Sequence, residues 1–137
     1  LIEQAKQAET AIGLEQKKAS LLASLKQYWD GMVAGDLRIS YDLHDPFYRA
    51  RMPYEAYALQ RGRIVYHRYE IEGVETVGNE ASVKLTVNYE IPKLQILGRE
   101  ESVPPRDFPI EDTWLFIDGG WYRKYVDAMS GGSSIKY

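Results

Sequence analysis

Apolar residues recur with a helical period in the first third of the chain and with a period of two thereafter. Counted from Leu21, the residues Leu22, Leu25, Tyr28, Trp29, Met32 and Val33 sit at i+1, i+4, i+7, i+8, i+11 and i+12, which predicts a helix with one buried face. Ahead of it, Leu1 to about Ser20 is rich in Ala, Gln, Glu and Lys, all good helix formers. Its apolar positions are only Ile2, Ala5, Ile12 and Leu14, with Gly13 interrupting. So narrow a stripe suits a tether or an oligomer seam rather than core. Gly35 fits the position just past a helix end, and Asp36 fits the cap of a second helix carrying Leu37, Ile39, Tyr41 and Leu43. Asp45-Pro46 breaks this pattern, and Pro53 opens a short helical piece from Tyr54 to about Gln60, ending at Gly62.

From Ile64 the period becomes two. Ala81, Val83, Leu85, Val87, Tyr89 and Ile91 alternate with Ser82, Lys84, Thr86, Asn88 and Glu90, the pattern of a strand with one buried and one wet face. Tyr69 and Ile71 alternate in the same way with Glu70 and Glu72, and the phase slips at Gly73, which predicts a bulge. Gly78-Asn79 predicts a two-residue hairpin turn, and Asp118-Gly119-Gly120 another, leading into Trp121-Tyr122. Thr113 to Ile117 is apolar on both faces, as a central strand is. Pro92 to Pro109, with four prolines around Leu94, Ile96 and Leu97, reads as a kinked strand continuation plus a loop. Ser130 to Ser134 reads as a frayed tail.

Composition narrows the chemistry. The chain has 137 residues, enough for one domain with its own core. It holds no cysteine, which removes disulfides, thiolate metal sites and cysteine nucleophiles. A net charge of -3 gives no general attraction for nucleic acid. The one basic run, Arg61 to Arg68, reads as a solvated face. No stretch approaches the length of a membrane span. The start at Leu1 rather than at a methionine points to an upstream segment, a signal peptide, anchor, membrane helix or tag, through which alone a membrane would be reached.

Helices followed by a meander of bent strands predict an α+β fold, with N-terminal helices packed on a strongly curved antiparallel sheet. Three stretches carry a family resemblance: Tyr28-Trp29 with Gly35-Asp36, Gly78 to Val83, and Asp112-Thr113-Trp114 through Asp118-Gly119-Gly120-Trp121-Tyr122. In order and spacing they resemble the nuclear-transport-factor-2-like superfamily, the cone fold of ketosteroid isomerases and polyketide cyclases. The resemblance covers about Ser20 to Val126 and implies a sheet wrapped around a pocket. The expected organisation is a helical extension or tether over 1–19, the cone domain over 20–127 and a flexible tail over 128–137.

The aromatic load is heavy, and its rings either fill the core, the expected role for any single one, or together line that pocket. Tyr28, Trp29, Tyr41, Tyr57, Tyr69, Tyr89 and Trp114 fall on apolar faces and are the candidate lining of a site for a small apolar or aromatic ligand. Two residues are candidates for proton transfer. Asp112 shares a strand face with Trp114 and Phe116, although a rim position is the expected one for a carboxylate. His67 is in phase with Tyr69. Asp36, Asp45 and Asp118 have local backbone roles, and His44-Asp45 is no dyad because adjacent side chains seldom face each other. Neither histidine has metal-ligand spacing, so no metal and no cofactor are expected. The pattern of a carboxylate base with Tyr and Asp oxyanion donors is not matched.

The expected function is therefore a non-enzymatic small-molecule-binding or protein-interaction domain, tethered by its first helix and placed outside the cytoplasm. It would act as a homodimer or with a partner protein. One alternative is an isomerase, cyclase or dehydratase working in the cone. Another is a dimeric adaptor with a large apolar patch on the outer face of its sheet.

Overall fold

The computed structural model describes the backbone of residues 2–127 and 133–134 and the side chains of 13–125. Four helices come first: α1 Ile2–Ala34, α2 Leu37–Asp42, α3 Pro46–Arg51 and α4 Tyr54–Arg61. Strands β1 Val65–Val77, β2 Glu80–Ile96, β3 Arg99–Ile117 and β4 Gly120–Arg123 follow and form an antiparallel sheet in sequence order. A two-stranded piece pairs β5 Val126–Asp127 with β6 Ser133–Ser134. The remainder of the expected tail, 128–132 and 135–137, lies outside the described residues.

Extension and core helix are one continuous α1, and Gly13 does not break it. Its buried face is Leu21, Leu25, Tyr28, Trp29 and Met32, each stabilising by roughly 1.5–3 kcal/mol when buried. Leu22 and Val33 belong to the expected stripe but are exposed, because a face packed on one sheet is narrower than the apolar pattern. The helix meets the sheet at Lys17. Its Nζ donates to the Gly78 carbonyl (2.9 Å) and the Asn79 side-chain oxygen (2.7 Å) and lies 4.4 Å from the centre of the Phe116 ring. Trp121 Nε1 returns a bond to the Lys17 carbonyl at 2.9 Å.

At the other end of α1, Gly35 takes φ +78°, Asp36 N–H donates to the Gly31 carbonyl and Gly35 N–H to that of Met32, a Schellman ending. Asp36 occupies the cap position of α2, but its side chain makes no capping bond there. Asp45 does cap. Its carboxylate accepts from Tyr48 N–H at 2.9 Å, and Pro46 opens α3. The break read at Asp45-Pro46 is thus the start of a short helix that the sequence reading passed over.

In β2 the alternation holds: Ala81, Val83, Leu85 and Val87 are buried against α1. The expected bulge is present at Glu72-Gly73, where Ile71 pairs Leu85 and Gly73 pairs Lys84. A second one lies at His67, between the pairs Tyr66–Tyr89 and Arg68–Asn88. The segment from Pro92 to Pro109 contains no loop. It is a hairpin turning at Leu97-Gly98, both with positive φ, and its strands carry kinks between the pairs Tyr89–Arg106, Ile91–Val103 and Leu94–Glu101.

Candidate functional site

The concave face of the sheet brings its chemistry to one place beneath α1. Asp112 lies on the inward face of β3 and is 1% exposed, not at the rim where the sequence reading set it. Arg123, on β4 opposite Trp114, donates from Nη2 to Asp112 Oδ1 at 2.8 Å. Trp29 Nε1 of α1 donates to the other carboxylate oxygen at 3.2 Å. Both oxygens of the buried acid are therefore engaged.

His44 closes the cluster from the helical side. The α2–α3 junction bridges to β4 through Arg123 N–H to the Leu43 carbonyl (2.7 Å) and Asp45 N–H to the Arg123 carbonyl (3.0 Å). His44 Nδ1 is 2.9 Å from the Ser40 carbonyl and Nε2 is 3.3 Å from Arg123 Nη1. A carbonyl only accepts and a guanidinium only donates, so Nδ1 carries the proton and the ring is neutral. Burial, reinforced by the Arg123 charge, holds the imidazole well below its ordinary pKa. Burial also raises the Tyr28 hydroxyl, against the opposing pull of Arg123. Burial disfavours the Arg123 cation as well, but Asp112 and Tyr28 together hold it protonated above its ordinary range.

Aromatic side chains fill the space around these groups. Tyr28 meets Trp29, His44 and Trp114 edge to face at 5.0, 5.5 and 5.8 Å. Tyr41, Tyr48 and Tyr57 form a second buried cluster under α2 to α4. In it Tyr57 shares a hydrogen bond with Ser40 at 2.7 Å, and Tyr48 stacks on Tyr125 at 4.2 Å. Of the seven candidate lining residues, Tyr28, Trp29, Trp114, Tyr69 and Tyr89 thus pack in or against the main core, and Tyr41 and Tyr57 in the second. Tyr69 sits toward the edge, donating to Asp30 at 2.7 Å, and burial with that bond pushes its hydroxyl up to about 12. Three buried polar atoms, Tyr48 OH, Trp114 Nε1 and Arg123 Nε, make no hydrogen bond among the described residues.

His67 is outside the cluster. The bulge at this residue turns it away while Tyr66 and Tyr69 both stay against Trp29, so it is exposed and pairs with Glu90 at 2.9 Å. The expected phase with Tyr69 is broken by that extra residue. The basic run is likewise divided: Arg61 is half-buried, Arg63 and Arg68 are exposed, and Arg68 pairs with Asp107. On the outer face of the sheet Ser82 is bonded to Glu111, Thr86 to Glu72 and Asn88 to Asp107. Among the described residues no group of three or more His, Cys, Asp or Glu could hold a metal, and no helix is long and apolar enough to cross a membrane.

Two open concavities lie outside the cone. One, of about 730 Å³, runs along the β2–β3 hairpin beside Leu94, Ile96, Arg99, Glu101 and Val103. The other, of about 310 Å³, lies between α1 and the β1–β2 turn beside Leu14, Lys17 and Trp121.

Comparison with solved structures identifies the architecture. A SEC-C motif containing protein from Rhodopseudomonas palustris is similar with a TM-score of 0.58 and 12% identity, over 83% of this chain and 77% of that one. An NTF2-like family protein from Streptomyces avermitilis, carrying the name of a candidate dehydratase, is similar with a TM-score of 0.53 and 13% identity, over 80% and 92%. The chain has the NTF2-like fold. No family model and no curated protein matches the sequence. At these identities the likeness reaches the fold alone, so the chemistry of this NTF2-like cone has to be read from its own residues.

Sequence reasoning missed Arg123 and His44. For Arg123 a signal existed. The Asp118-Gly119 turn fixes the hairpin register, which sets Arg123 opposite Trp114 and therefore diagonal to Asp112 on the same face. For His44 there was none, since its place depends on how two short helices meet the edge of β4.

Proposed function

We propose that this domain is a non-enzymatic interaction module, and that the polar groups within its cone serve the fold. One observation carries the reading: both oxygens of the buried acid Asp112 are taken, by Arg123 and Trp29. A general base has to be free to reach a substrate proton. Asp112 is not free, His44 is wedged between a carbonyl and a guanidinium, and His67 lies outside, paired with Glu90. The open concavities, by contrast, lie on the hairpin and beside α1. In this reading the leading turns of α1 tether the domain to a larger assembly.

A second reading, a small-molecule site or an isomerase, cyclase or dehydratase, is favoured by the unbonded Trp114 Nε1 and Arg123 Nε in the cone, which a small polar ligand could satisfy. Native mass spectrometry of the purified protein separates the two. The expected spectrum shows protein mass alone. An adduct that survives gentle ionisation and leaves on denaturation, and that is lost in Trp114→Phe, overturns the interaction reading in favour of a ligand site.

A further inference from the structure

We infer that the β2–β3 hairpin beyond Ile91 is a self-association arm, whose apolar groove packs face to face on the same groove of a second copy. This rests on the interaction reading above and names its partner and surface.

The arm has no support from its own chain. β1 leaves β2 after the pair Val65–Glu90, and β4 joins β3 only from Trp114 to Ile117, so from Ile91 to Val103 the two strands have only each other. A two-stranded ribbon is marginal in water without something covering a face. This ribbon has a face to cover: Leu94, Ile96, Leu97 and Val103 line its groove, with Ile96 47% and Leu97 98% exposed. The alternate positions, Lys93, Gln95 and Glu100, are polar and exposed.

Strand addition at the edges is hindered. Within the arm, Pro92 and Lys93 interrupt β2, and Pro104 and Pro105 follow directly after Val103 in β3. Prolines lack the N–H a new strand would need, and edge lysines oppose pairing. The grooved face is the one that carries the arm's apolar side chains.

The charges in the groove select the occupant. Arg99 and Glu101, one of each sign, line it together and lie two residues apart on one strand face. A strongly acidic or basic partner would meet one matching and one opposing charge. A two-fold-related copy, with its axis near Glu100, sets each Arg99 over the partner copy's Glu101 and joins the two sets of apolar side chains. This is a self-complementary, isologous contact. The groove is lined by only a handful of residues, against about 20–30 a side in a standard interface, so the association is expected to be weak and concentration-dependent.

Sedimentation equilibrium from about 5 to about 500 µM reads it, a range spanning micromolar to sub-millimolar affinities. The expected result is a monomer–dimer equilibrium in the unaltered chain, weakened at least tenfold by Ile96→Asp, by Arg99→Glu and by Glu101→Arg, and restored by Arg99→Glu with Glu101→Arg. Circular dichroism and thermal unfolding should be unchanged in all four variants, because the arm lies beyond the core. A monomer throughout overturns the arm dimer while leaving the filled cone as described. A dimer indifferent to all four variants also overturns it and assigns self-association to another surface such as α1. A loss on single reversal without rescue by the double variant overturns the two-fold pairing.

Discussion

The strands β2 and β3 form one continuous ladder, yet its two halves live in different circumstances. Between Ala81 and Val87 the ladder is flanked by β1, covered by α1 and carries the buried Asp112–Arg123 pair on its covered face. Between Ile91 and Val103 the same two strands stand alone, and nearly every side chain is exposed. Backbone pairing is shared by both halves, so it cannot be what separates a core from an arm. Cover does that: the apolar area taken from water, and the buried polar groups that must find partners once water is gone.

The largest test of the contrast is the ion pair. Asp112→Ala leaves the Arg123 cation buried without its counter-ion, and a cost of about 3–5 kcal/mol is expected, read as a lowered urea midpoint with an unchanged slope. Asp112→Leu combined with Arg123→Met should cost much less than Asp112→Ala, since a buried pair replaced by apolar volume is often neutral. A double variant as unstable as the single one would mean that the charges do more than satisfy each other.

Next in size is a matched pair of truncations along one strand. Leu85→Ala, at a position 1% exposed, is expected to cost about 2–5 kcal/mol. Ile96→Ala, eleven residues on in the same strand, is expected to stay within about 0.5 kcal/mol. Comparable losses at the two sites would show that the arm is covered in the monomer.

How much of this was legible follows the same division. The period of two in β2, the glycine at the phase slip and the turns at Gly78-Asn79 and Asp118-Gly119 are local signals, and the local structure obeyed them. Asp112 was misplaced because a lone carboxylate in an apolar alternation reads as a rim residue until its partner is known, and Arg123 lies across a turn. The arm was misread as part loop because its prolines and exposed residues carry the composition of a loop, while its pairing depends on a register set further down the ladder. His67 was misplaced by a bulge that no glycine announces.

The pH dependence of the core comes third. The His44 imidazole of the unfolded chain takes up a proton near pH 6.5, whereas the folded one, buried beside Arg123, resists doing so. Its folded pKa is lowered, so this contribution is whole above pH 6.5 and is lost as pH falls below it. The slope is at most about 1.4 kcal/mol per pH unit. Urea midpoints of the unaltered chain should therefore fall from pH 7.5 to pH 5.5, and His44→Gln should flatten that decline even if it lowers stability throughout. An equal decline in His44→Gln would assign the acid sensitivity to other groups.

The smallest effect, at the tip of the arm, tests whether that region keeps its own account of stability. Leu97 holds φ +51° ahead of Gly98 at φ +76°, the two-residue turn whose first position favours Asn. A branched apolar residue there is strained by about 1–2 kcal/mol relative to its ordinary backbone conformation. Leu97→Asn should relieve part of that strain and slow amide exchange at Ile96 and Arg99, while global unfolding stays where it was, because the ribbon opens without disturbing the sheet beneath α1. Since Leu97 also lines the groove, the substitution sets two effects against each other, a better turn and a less apolar face. Exchange measured at low protein concentration, where copies are apart, isolates the turn. If exchange instead quickens in the dilute protein, the leucine side chain holds the tip within its own chain, and the arm is less independent of the core than its exposure implies.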